Sequence, residues 1–135
     1  GGKMEKTLVL IKPDAIKQNI IGKIINIYEE NGLIIDDCKM VETDRDILEK
    51  HYEEHKGKSF FESLVKFMVN QRILALILKG DNAVEKVRTL NGATDPKKAK
   101  PGTIRYLYGT NIQENAVHGS ATNSDAQREI SIWFK

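Results

Sequence analysis

The run Thr7-Leu8-Val9-Leu10-Ile11, stopped by Lys12-Pro13-Asp14, constrains the fold more than any other stretch. It is apolar at every position after Thr7, so it reads as a central strand with both faces buried. Ile73–Leu78 reads as a second buried strand, Leu33–Glu42 as a third with imperfect alternation, and Ala116-Val117 as a short fourth. The segments between them follow the helical period. Ile21, Ile24, Ile25 and Tyr28 recur at i, i+3, i+4, i+7 and predict a helix ending at Asn31-Gly32. Thr43 with Asp46 predicts a capping box that opens a helix whose apolar face carries Leu48 and Tyr52 and has room for His51 and His55. Ser59 with Glu62 predicts another, ahead of Phe61, Leu64, Val65 and Met68. Asn82 is placed to cap a helix with Val84, Val87 and Leu90, closed by Asn91-Gly92. Ala126, Ile130 and Trp133 mark a last helix. The order βαββαβ predicts an α+β, ferredoxin-like sandwich: a four-stranded antiparallel sheet with helices on one face.

At 135 residues the chain is expected to form one domain over residues 4–135, with Gly1-Gly2-Lys3 ahead of Met4 set aside as an expression remnant. A net charge of +2 is too weak to imply nucleic acid, though it suits anionic ligands. Cys38 is the only cysteine, which rules out an intrachain disulfide and argues against a zinc cluster. No apolar run approaches membrane-spanning length, and no secretory leader is recognisable, so a cytoplasmic location is expected. Residues 93–115 lack periodicity; a loop of that length is usually functional or disordered.

The chemistry is expected at Asn115-Ala116-Val117-His118-Gly119-Ser120 together with Glu129. At about 100° per residue, Glu129 falls inside the apolar arc of the last helix, where an unpaired carboxylate costs several kcal/mol. His118 is the natural partner. A carboxylate on one imidazole nitrogen fixes the tautomer and frees the lone pair of the other for attack. The residues alone also allow a glutamate at the edge of the stripe beside an unrelated turn histidine. Other positions are equally two-sided. Lys12 either faces a ligand or marks the rim of the sheet, and Phe60 either stacks on a flat ligand or packs at the surface. Arg88 either binds an anion or complements its helix dipole. His51 and His55 could hold a metal, but without further ligands they read as solvated helix residues.

Taken together, Lys12-Pro13-Asp14, Phe60-Phe61, Asn91-Gly92-Ala93-Thr94-Asp95-Pro96, Lys100-Pro101-Gly102-Thr103-Ile104-Arg105 and Asn115-x-x-His118-Gly119-Ser120 make the chain resemble a nucleoside diphosphate kinase almost end to end. The resemblance implies ping-pong transfer of a terminal phosphoryl group from a nucleoside triphosphate to a nucleoside diphosphate. His118 would be the nucleophile and phosphohistidine, Glu129 would hold its ring, and Ser120 would support that carboxylate. Lys12 would meet the transferring group and the sugar hydroxyl, with Tyr52 close to the histidine. Arg88, Thr94 and Arg105 would hold the other phosphates, Asn115 the sugar, and Phe60 the base with broad tolerance. Mg2+ would arrive on the nucleotide, since no acidic cluster resembles a metal cage. The resemblance further implies a homo-oligomer, a hexamer ahead of a tetramer.

Three segments depart from the family pattern. Ala121 stands where Asp is usual, Tyr106-Leu107-Tyr108 replaces a small residue, Asp and an aromatic, and Asn70-Gln71-Arg72 replaces Ser-Gly-Pro. Ala121 removes a possible N-cap, for which Thr122 or Asn123 could substitute. Two other functions compete with catalysis: a slow nucleotide sensor that merely keeps the pocket, and a single-stranded nucleic-acid binder. Retention of His118, Glu129 and Lys12 argues against the first. Modest charge without interleaved aromatics argues against the second.

Overall fold

The computed structural model describes residues 3–135; Gly1 and Gly2, two of the three residues read as a remnant, lie outside the described residues. Four strands, β1 (Met4–Ile11), β2 (Ile34–Glu42), β3 (Arg72–Asp81) and β4 (Val117–Gly119), form one sheet in the order β2-β3-β1-β4, with every neighbouring pair antiparallel. The helices are α1 (Pro13–Lys17), α2 (Ile21–Glu30), α3 (Arg45–His51), α4 (Phe61–Met68), α5 (Ala83–Asn91), α6 (Ile104–Tyr108) and α7 (Asn123–Trp133).

The antiparallel sheet and its ferredoxin-like order follow the sequence, but the helices cover both faces rather than one. Alternation along β1 sends Val9 and Ile11 into one core with Ile24, Tyr28 and Val87, while Leu8 and Leu10 enter a second core with Leu48, Val65 and Trp133. A central strand apolar on both faces has to be covered twice, because a sheet leaving such a row in water forgoes about 25 cal/mol per Å² of burial. The helices α3, α4 and α7 supply the second layer.

Local chemistry moves several boundaries. Asp44, not Thr43, caps α3 by accepting from the Ile47 amide at 2.9 Å. Thr43 is buried and donates its hydroxyl to the Met68 carbonyl, a bond that ties the end of β2 to the end of α4. No side chain caps α4, whose N-cap position is Phe60, so the Ser59/Glu62 box does not form. Asn82 is the N-cap residue of α5 but lies in the left-handed region (φ 49°) and makes no side-chain cap bond. The long aperiodic segment contains a 3-10 turn at Pro96–Lys98 and α6, capped by the Thr103 hydroxyl. Thr122 caps α7 in place of the missing aspartate, its hydroxyl accepting from the Asp125 amide at 3.0 Å.

Candidate active site

The register of β4 decides where the chemistry sits. His118 lies opposite Leu10, so its side chain projects to the same face as Leu8 and Leu10, toward α3 and α7. Lys12, two residues beyond Leu10, continues that face at the end of β1. From the other direction, α7 presents Glu129, 4% exposed, on its buried stripe. The Nε2 of His118 meets the Glu129 Oε1 at 2.7 Å, and the Ser120 hydroxyl donates to the same oxygen at 2.9 Å. Ser120 is anchored in turn by the Leu8 amide, 3.3 Å away. With Glu129 accepting, Nε2 carries the proton and Nδ1 keeps the lone pair.

The loop before β4 is held in an uncommon conformation. Ala116 has φ 74°, which costs a residue with a Cβ about 1–2 kcal/mol. Two bonds hold it there: the Ala116 amide donates to the Asp14 Oδ2 at 2.9 Å, and its carbonyl accepts from the Lys12 amide at 2.9 Å. Burial raises the pKa of Asp14, opposed by the Ala116 amide and the Lys12 charge. Gly119 is closely covered: a Cβ there would stand 2.8 Å from the Asn91 Nδ2 and 2.9 Å from the Val87 Cγ1, so these side chains would have to shift. That close approach lets α5 lie against β4.

A cleft of about 1070 Å³ opens beside His118. Of the ten residues singled out in the sequence, eight line it: Lys12, Tyr52, Phe60, Arg88, Thr94, Arg105, Asn115 and His118. Ser120 and Glu129 lie beneath, behind the imidazole. Lys12 is 6% exposed and donates to the Gln113 carbonyl and, at 2.9 Å, to the Asn115 Oδ1. Burial lowers its pKa to about 8; Asp14 opposes the shift and Arg105 adds to it. The Asn115 amide spans the cleft floor by donating to the Thr94 carbonyl at 3.0 Å. Arg105 donates to the Gly92 and Val117 carbonyls, each at 2.8 Å, and burial lowers its pKa. Among the described residues Arg88 has only the Ala121 carbonyl, at 3.5 Å, and no acidic partner restrains it.

The far end of the cleft is apolar. Phe60, 45% exposed, lines it together with Leu64 and Ile112. Gln113 brings the Ile112 segment there by donating to the Ser63 carbonyl at 2.8 Å, which ties the loop to α4. Ile112 carries no periodic signal in the sequence, and Leu64 reads only as core. His51 reads in the sequence as either an apolar-face or a solvated residue, and the structure takes the first. It is buried rather than solvated, 3% exposed, with its ring against that of His118. The signal was present, since Leu48, His51 and Tyr52 recur at i, i+3, i+4 and place His51 on the apolar stripe of α3. His51 and His55 do not share a helix, because α3 ends at His51 and a 3-10 turn carries His55.

Among the described residues, the one cluster with ligand atoms close enough to hold an ion is His51, His118 and Glu129, all within 4.8 Å. Two imidazoles and one carboxylate suit a borderline metal, not Mg2+, which wants oxygen ligands. Glu85 is the only carboxylate among the described residues of the cleft wall.

A sequence model of the nucleoside diphosphate kinase family matches residues 5–135. A nucleoside diphosphate kinase from Clostridium perfringens is 49% identical over 132 residues, covering 98% of this chain and 92% of its own. The Aquifex aeolicus nucleoside diphosphate kinase superposes with a TM-score of 0.95 at 34% identity, over 98% of this chain and 96% of that one. The Borrelia burgdorferi nucleoside diphosphate kinase, solved as a transition-state mimic with bound vanadate and ADP, superposes with a TM-score of 0.93 at 35% identity, over 98% and 88%.

Proposed function

The chain belongs to the nucleoside diphosphate kinase family and catalyses transfer of the terminal phosphoryl group from a nucleoside triphosphate to a nucleoside diphosphate; on that footing we propose that His118 carries the group between the two. The Nδ1 lone pair attacks the terminal phosphorus, the bond to the bridging oxygen breaks, and the diphosphate leaves. A terminal oxygen of the acceptor diphosphate then takes the phosphoryl from Nδ1. The observation that carries this reading is the 2.7 Å contact between His118 and a buried Glu129 that also accepts from Ser120, directly beneath the cation-lined cleft.

The remaining roles follow from position. Phosphoryl transfer is catalysed mainly by alignment and by spreading positive charge. Lys12, 2.9 Å from Asn115, meets the transferring group and the sugar hydroxyl, and Asn115 the sugar. Arg88, Thr94 and Arg105 hold the other phosphates, and Tyr52 walls the histidine. Phe60 stacks on the base opposite Ile112, and stacking, worth about 1–3 kcal/mol per base, reads no base edge. Among the described residues the cleft wall offers a single carboxylate, Glu85, too few oxygen ligands for a protein-built magnesium site; Mg2+ would therefore be carried by the nucleotide, and would supply neutralisation of phosphate charge.

Residues 4–135 act as one domain. The enzyme works in the cytoplasm, where an exposed Cys38 thiol stays reduced; no described helix is long and apolar enough to cross a membrane. It assembles as a homo-oligomer, a hexamer in preference to a tetramer, in support of which Ile34 and Met40 on the edge strand β2 and Tyr106 and Leu107 on α6 are exposed.

Incubation with ATP labelled on its terminal phosphate, without acceptor, tests the central step. The expected result is an acid-labile, alkali-stable label on the protein, absent in His118→Ala and discharged by GDP. Label retained in that variant would show that another residue is the nucleophile.

A further inference from the structure

Behind the nucleophile lies a second histidine that the transfer, as described, leaves unused. His51 closes α3, and its ring meets that of His118 edge to face, with centroids 4.6 Å apart and planes at 79°. Its Nδ1 accepts from the Trp133 Nε1 at 3.0 Å, in the interior. An indole N–H only donates, so the His51 Nδ1 must present its lone pair. In an uncharged ring the proton is then on Nε2.

The surroundings require an uncharged ring. Burial pushes the His51 pKa well below the ordinary histidine range, and His118 on β4, Arg128 on α7, His55 on the following turn and Lys12 at the end of β1 push the same way. Glu129 is the one acid in the cluster, and it is already engaged by His118 and Ser120. Burying an imidazolium there would leave a charge without a counter-ion.

We propose that His51 is a positioning residue for the phosphoryl transfer, its tautomer set by Trp133 and its ring braced against His118. The inference rests on the assignment of His118 as nucleophile. Glu129 and Trp133 are one turn apart on α7, so a single helix reaches the imidazole by two routes: directly through Glu129, and through Trp133 by way of His51. The Glu129 bond alone is a pivot, about which the His118 ring could swing and turn Nδ1 away from the cleft. An edge-to-face neighbour removes that swing. The same lock closes the His51–His118–Glu129 cluster to metals, because one nitrogen of His51 is held by the indole and the other carries the proton. A metal at this point would capture the nucleophile.

Two measurements test the proposal on the full chain. Long-range 1H–15N correlation of the histidines from pH 5.5 to 8.5 is expected to show His51 fixed as the neutral Nε2–H tautomer throughout. A His51 that titrates in that window, or carries its proton on Nδ1, overturns the lock. Rapid-quench phosphorylation by ATP is then compared in the wild type, His51→Ala and Trp133→Phe, normalised to the labelled fraction. At saturating nucleotide the rate constant is expected to fall about tenfold or more in both variants, with the nucleotide dissociation constant held within about twofold. A purely structural role would lower stability and labelled fraction and leave that rate constant alone, which would overturn the proposal. Should either variant fail to fold, the tautomer in the wild type decides. Normal labelling of His118 beside a titrating His51 sinks this inference only; label surviving in His118→Ala sinks the nucleophile assignment instead.

Discussion

Lys12 is the residue at which stability and function pull in opposite directions. Its pKa is about 8 in the fold, lowered chiefly by burial, against an ordinary value of 10.5. Below about pH 8 the lysine is charged in both folded and unfolded chains, and the burial penalty is present in full. Between about pH 8 and 10.5 the unfolded chain binds more protons, so this group's contribution to stability improves as pH rises. The gain is on the order of 3 kcal/mol across the window. Urea melts of the wild type and Lys12→Met are therefore expected to converge or cross above pH 8, and a gap constant from pH 7 to 10 would contradict the assignment. Activity should move the other way, kcat/KM falling as pH rises through about 8, because the cation facing the phosphate is being lost. At Glu129 charge matters more than shape. Glu129→Gln keeps the volume, yet an amide can donate or accept and no longer dictates the His118 tautomer. Loss of about 10–100-fold in kcat is expected with little change in KM, read by steady-state kinetics.

At the scale of elements, the site depends on how closely α5 and α7 approach β4. A Cβ at position 119 would come within 3 Å of both Asn91 and Val87, so Gly119→Ala must displace these two buried side chains of α5. Destabilisation of about 1–3 kcal/mol is expected by chemical denaturation, with activity reduced further because His118 precedes the strained residue. The pairing of His118 with Glu129 is half legible in the sequence because a helix has a fixed period: a glutamate in phase with Ala126 and Trp133 falls in the apolar arc and calls for a partner, but the period alone also lets it reach out from the edge of the stripe. The two-sided covering of β1 is legible for the same kind of reason, although a four-stranded βαββαβ count suggests one layer. Caps are less legible. Thr43 and Asp44 compete for one helix start, and the choice is made by buried carbonyls at Met68 and Gln71, which no local pattern reveals. Asp14 is less legible still, since its partner, the Ala116 amide, is 102 residues away in the chain. In the sequence Arg88 looks like a helix-end cation and Arg105 sits in an aperiodic stretch, and only folding brings them to one wall.

For the whole molecule, α6 is where the proposed assembly would meet the proposed site. This five-residue helix turns Arg105 inward, where its guanidinium holds the Gly92 and Val117 carbonyls, and leaves Tyr106 and Leu107 50% and 48% exposed. A helix of barely more than one turn has little stability of its own. Covering Tyr106 and Leu107 with a neighbouring subunit would remove apolar surface from water and hold the backbone that aims Arg105. Charged residues at the two exposed positions, Tyr106→Glu with Leu107→Asp, should therefore weaken assembly and the cleft together. Light scattering is expected to show a lower mass for the double variant than for the wild type. Its KM for nucleoside diphosphate should rise more than its kcat falls, because the role proposed for Arg105 is to bind phosphate in ground and transition states alike, while His118, Glu129 and Ser120 lie on other elements. Unchanged mass with unchanged KM would mean that this surface faces solvent in the working enzyme. A lower mass with an unaltered KM would show instead that Arg105 is held by its own chain, through the two carbonyls it already engages.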